Sequence, residues 1–123
     1  MSRLPVWATL SAVLSIAAGA FGAHAAHGPA IDWLKTGAQY ELVHAVAALA
    51  LCERYPRPAV LLLVGSVLFA ATLYLMALGA PRWFGAITPL GGAAMIAGWL
   101  WIAYLGWPSR KRATASSDTD LST

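Results

Sequence analysis

The sequence predicts an all-α fold, an integral membrane four-helix bundle with short loops, and three observations predict it. Of 123 residues, 59% are hydrophobic and 11% charged, whereas soluble domains carry about a quarter charged residues. Uncharged runs from Leu4 to Ala26, Pro58 to Ala80 and Trp83 to Trp107 each exceed the roughly 20 residues that cross about 30 Å of hydrocarbon. A fourth, shorter run from Gly37 to Cys52 carries Glu41, and helical continuation back through Trp33 lengthens it. These assign a single four-span domain to residues 1–112, with spans at about 4–26, 33–53, 58–80 and 84–107. Residues 113–123, rich in Ser, Thr and Asp, read as a disordered cytoplasmic tail.

The first run begins after Arg3 and ends near Ala23-His24-Ala25, a pattern shared with secretory leaders. Its apolar stretch is longer than the 7 to 15 residues of a leader's core, so it is read as a retained helix. Ala8, Ala12, Ser15, Gly19, Gly22 and Ala26 recur along it at steps of four and three. Such a seam of small residues lets another membrane helix approach closely. Gly28 and Pro29 read as a stop, and Asp32 as the cap of the second helix. Trp33 reads as an interface anchor. At 100° per residue Thr36, Tyr40, His44, Ala47 and Leu51 share one sector of that helix, with Glu41 at its edge.

Pro56 and Pro58 lie in a tight turn before the third helix, whose expected packing line is Gly65, Thr72 and Gly79. Thr88 and Pro89 fit an N-cap and a first helical position. The fourth helix therefore starts at Pro89, or starts near Trp83 and kinks. Gly91, Ala94 and Gly98 form its small face, and Trp101, Tyr104 and Trp107 an aromatic belt. In this four-span arrangement Arg3, Arg54, Arg57, Arg110, Lys111 and Arg112 fall on one side, and Lys35 and Arg82 on the other. The positive-inside rule then puts both termini in the cytoplasm. The net charge of +3 is thus a topology signal, and no basic face with interleaved aromatics supports nucleic-acid binding.

The lone Cys52 excludes an intrachain disulfide and has no partner for a zinc site. His24 and His27 fall short of the three or four ligands a zinc site needs, and His24 near the outer interface does not match a deeper His44 as a haem ligand pair. No cofactor is expected. Glu41 and His44 are three residues apart and close enough to interact on a helix. Ionisable groups at membrane depth are functional candidates by default; they read either as an internally bonded structural pair or as a proton relay. With His24, Thr36, Gln39, Tyr40 and Thr88 they make a candidate polar cluster toward the outer leaflet, while Gly19, Gly22, Gly91 and Gly98 are the candidate packing positions.

Gly19-Ala-Phe-Gly-Ala-His24, Thr36-Gly-Ala-Gln-Tyr-Glu-Leu-Val-His-Ala45, Leu73-Tyr-Leu, Arg82-Trp-Phe-Gly-Ala-Ile-Thr-Pro-Leu-Gly-Gly92 and Gly98-Trp99 occur in this order. Together they resemble the DUF423 family of small membrane proteins, which includes bacterial inner-membrane members and the eukaryotic transmembrane protein 256 type. The resemblance spans about Leu4 to Trp107. It implies a retained first helix, four spans and bacterial inner-membrane residence, and it transfers no catalytic residue.

No nucleophile, base and orienting group occur at a workable spacing. The favoured reading is a non-enzymatic protein acting through membrane binding or assembly, with the lipid bilayer and a homo-oligomer or larger membrane complex as partners. The alternative is a small oligomeric transporter, channel or proton-coupled carrier built on Glu41 and His44.

Overall fold

A computed structural model of the chain describes residues 3–108; Arg110, Lys111, Arg112 and the tail at 113–123 lie outside the described residues. Four helices run in order: α1 Leu4–His24, α2 Pro29–Leu51, α3 Pro56–Ala77 and α4 Thr88–Leu105, with a 3-10 segment Arg82–Ala86 before α4. Each α-helix carries proline in its first two positions, and none has a side-chain cap. Proline suits those positions because its missing N–H would have no intrahelical partner there and its φ is already helical.

This placement corrects three expectations about helix ends. Gly28 at φ +60° turns the chain so that Pro29 opens α2 instead of stopping a helix, and Asp32 lies within the first turn. Thr88 does not cap α4: its hydroxyl meets the Thr72 hydroxyl at 2.7 Å. The fourth segment combines both alternatives for its start, a 3-10 turn beginning at Arg82 followed by a regular helix from Thr88. Gly79 belongs to no packing line. Its φ of +108° lets Ala80 N–H reach the Leu75 carbonyl at 2.9 Å and its own N–H reach Met76 at 3.1 Å, the paired bonds that close a helix on a left-handed residue.

Consecutive helices pack side by side, α1 on α2, α2 on α3 and α3 on α4, while α1 barely touches α3 and does not pack on α4. Small residues set these approaches. A Cβ at Gly22 would sit 3.0 Å from the Cβ of Leu34, and one at Gly19 3.5 Å from that of Ala38. Between α3 and α4 the backbones nearly touch: a Cβ at Gly91 would lie 2.6 Å from both the Gly65 carbonyl oxygen and the Phe69 nitrogen. Leu4, Ala8, Ala45, Ala48, Ala59 and Leu63 form an apolar cluster at one end of α1, α2 and α3.

Outward, the pattern is that of a protein solvated by lipid. Val13, Ile16, Leu90, Ile96 and Leu100 are all more than 60% exposed, an apolar surface far beyond what a water-soluble monomer presents. α1, α3 and the segment Arg82–Leu105 are each long and apolar enough to cross a membrane. α2 is less apolar, because Asp32, Lys35, Gln39, Glu41 and His44 all lie on it.

Candidate functional site

Two buried polar networks radiate from α2. Glu41 is 1% exposed because its side chain points between α1 and α3. Ser11 of α1 donates its hydroxyl to Oε2 at 2.8 Å, and Tyr74 of α3 donates to Oε1 at 2.8 Å. One carboxyl group thereby ties three helices together, with a donor on each oxygen. Gly37, one turn before Glu41, leaves the space in which the Tyr74 ring lies, since a Cβ there would be 2.8 Å from Cε1.

His44, buried at 6% exposure, makes its bonds elsewhere. The indole N–H of Trp99 on α4 donates to its Nε2 at 3.0 Å. An indole nitrogen only donates, so Nε2 presents its lone pair and Nδ1 carries the proton, donated to the Tyr40 carbonyl at 2.7 Å. The imidazole is therefore held in one tautomer between its own helix and α4. Tyr40 lies half exposed beside it, its ring 4.8 Å from that of Phe69.

The seven candidate polar residues do not converge. Glu41 and His44 hydrogen-bond to different partners rather than to each other. They lie near the middle of α2, which begins at Pro29. His24 is exposed in the last turn of α1, and Thr36 and Gln39 are exposed on the outer face of α2. Thr88 joins Thr72 in a separate α3–α4 bond. His24 and His44 are thus apart, and no group of three or more His, Cys, Asp or Glu side chains among the described residues could hold a metal ion.

Three partners that complete the networks were absent from the sequence reading: Ser11, Tyr74 and Trp99. A signal for Ser11 was present, since it lies three residues after Ala8 and four before Ser15, on the face of the small seam. Tyr74 and Trp99 interrupt otherwise apolar helices, and both fall within the stretches that carry the family resemblance.

Other proteins resemble this chain across most of its length. The family model described as "Protein of unknown function (DUF423)" matches residues 18–92. The chain is 34% identical over 106 residues to the UPF0382 inner membrane protein YgdD of Escherichia coli (strain K12), covering 76% of this chain and 81% of the relative. It is 34% identical over 107 residues to the UPF0382 membrane protein YwdK of Bacillus subtilis (strain 168), covering 76% and 86%. Over 112 residues it is 33% identical to the UPF0382 membrane protein SH2409 of Staphylococcus haemolyticus (strain JCSC1435), covering 81% and 91%. No solved structure matches the chain.

Proposed function

The chain belongs to the DUF423 family, and from that premise we propose that it works by assembly rather than catalysis, as a four-span bacterial inner-membrane protein that pairs with a second copy of itself. Both termini are cytoplasmic in this reading, which follows from the distribution of Lys and Arg and accords with the inner-membrane name of the Escherichia coli relative.

The observation that carries it is Gln39. Its carboxamide is exposed, and it makes no hydrogen bond among the described residues. It lies four residues, about 6 Å, along α2 from Lys35, at 1.5 Å per residue, so α2 as a span that begins near Trp33 places it in the outer part of the hydrocarbon. An amide left without a partner in an apolar setting costs about 1–3 kcal/mol on the scale of protein substitutions. Thr36, Gln39, Val43, Val46 and Ala50 are all exposed and recur at steps of three and four, the spacing of a helix-pairing seam. A recess of about 230 Å³ lined by Gln39, Tyr40, Val43 and His44 lies on this face, with room for a partner's side chain. A two-fold axis along the membrane normal brings Gln39 opposite itself. A carboxamide both donates and accepts, so two copies satisfy each other.

Catalysis and proton relay find less support, because Glu41 and His44 have every polar atom engaged in bonds between or within helices. Native mass spectrometry of the full chain from mild detergent tests the reading. A dimer is expected, and Gln39→Leu should raise its dissociation constant on the order of tenfold, the scale of a 1–2 kcal/mol interhelical bond. A monomer at all concentrations, or a dimer indifferent to Gln39→Leu, would overturn the α2 pairing.

A further inference from the structure

On the opposite side of α2 lies an open groove. α1 and α3 both pack on α2 but barely touch each other, and the gap between them encloses about 790 Å³. Its walls are Leu4, Leu14, Val60, Val67 and Ala71 among others, with Arg3 at one end. Ser11 and Glu41 lie at its floor, but the carboxylate oxygens are already taken by Ser11 and Tyr74. The groove therefore offers an apolar ligand its walls, and a water-soluble substrate no free polar partner.

We propose that this groove binds one anionic phospholipid, with an acyl chain lying between α1 and α3 and the phosphate on Arg3. Three features select that occupant. From Leu4 to Leu14 at 1.5 Å per residue the groove is about 15 Å long, half of the roughly 30 Å hydrocarbon thickness, so it is as deep as one leaflet. Its volume falls within the range of about 300–1,000 Å³ typical of small-ligand sites. Arg3 is exposed at the mouth, and no acidic side chain among the described residues pairs with it, leaving its guanidinium for a bidentate contact with phosphate. Trp7, 62% exposed on the same rim, suits the headgroup level. With the orientation proposed above, the mouth opens on the cytoplasmic leaflet, where anionic lipids attract basic side chains.

The two faces of the molecule are independent, since Glu41 and Gln39 project about 200° apart around α2. The same native mass spectrum thus reads both: protein stoichiometry reports the α2 pairing, and lipid adducts report the groove. The probes are dioleoyl phosphatidylglycerol and dioleoyl phosphatidylcholine, added in equal amounts to the full chain in mild detergent. Wild type should retain the phosphatidylglycerol about fivefold more than the phosphatidylcholine, the preference one basic side chain at a membrane surface provides. Arg3→Gln should bring the ratio to near one while adducts persist, and Val64→Trp, which fills the groove from α3, should reduce both adducts. Equal retention of the two lipids by wild type would overturn the proposal, as would a preference that survives Arg3→Gln. Undiminished adducts on folded Val64→Trp, or protein mass in place of lipid, would do the same. Arg3 is exposed, so its variant remains readable should Val64→Trp not fold.

Discussion

At the scale of single residues, the arrangement around α2 separates two kinds of polar burial. Glu41 accepts from both Ser11 and Tyr74, so Glu41→Gln can keep both contacts: the amide oxygen accepts from Tyr74, and its NH₂ donates to the Ser11 hydroxyl, which can accept as well as donate. A loss below about 1 kcal/mol is expected, because interhelical hydrogen bonds in membranes average about 0.6 kcal/mol. Glu41→Leu removes both acceptors and should lower stability by about 1–3 kcal/mol. His44→Leu has no such compensation, since the Trp99 indole N–H then loses its acceptor. It should destabilise more than Glu41→Gln, and Trp99→Phe should recover part of the loss in the double variant by removing the orphaned donor. Thermal unfolding in detergent of the four variants checks this order. A collapse of Glu41→Gln comparable to that of Glu41→Leu would show that the carboxylate, and not a hydrogen-bonding group as such, is required.

At the scale of helices, close approach is set by where backbone meets backbone. A Cβ at Gly91 would lie 2.6 Å from backbone atoms of α3, which have no rotamer to yield. At Gly98 the nearest atom is Leu62 Cδ2, at 2.7 Å, the end of a side chain that can turn away. At Gly19 the neighbour is an ordinary 3.5 Å from the added carbon. The expected order of destabilisation is therefore Gly91→Ala, then Gly98→Ala, then Gly19→Ala, with about 1–3 kcal/mol for the first and little change for the last. Gly22→Leu should likewise disturb the α1–α2 contact far more than Leu14→Ile on the exposed face. Thermal midpoints in one detergent give the ranking, and Gly91→Ala unfolding at the wild-type midpoint would contradict the close crossing of α3 and α4.

At the scale of the whole molecule, the proposed orientation makes a prediction independent of any contact. A reporter active only in the cytoplasm, fused at the C-terminal end, should be active, and one inserted in the connection at Gly79 should be silent. The reverse pattern would exclude a cytoplasmic C-terminus, and equal signals at both sites would exclude a crossing by the last segment. The Arg82 guanidinium lies 5.9 Å from the centroid of the Trp33 ring, joining the α3–α4 connection to the start of α2. With Lys35 nearby in sequence, that end is where the orientation model places its two external basic residues.

Membrane residence and helix number were legible in the sequence, because the bilayer acts on each helix separately. Length and hydropathy decide whether a segment suits hydrocarbon. Helix ends were less legible, since Gly28-Pro29 and Thr88-Pro89 each allow more than one start, and the φ of Gly28 decides the first. The polar networks and the groove belong to the tertiary structure. Glu41 and His44 are neighbours on one helix, yet one turns toward α1 and α3 and the other toward α4, so the partners are 30, 33 and 55 residues away in the chain. Which helices flank α2, and how far α1 and α3 stand apart, are products of packing among all four helices and leave no periodicity in any one of them.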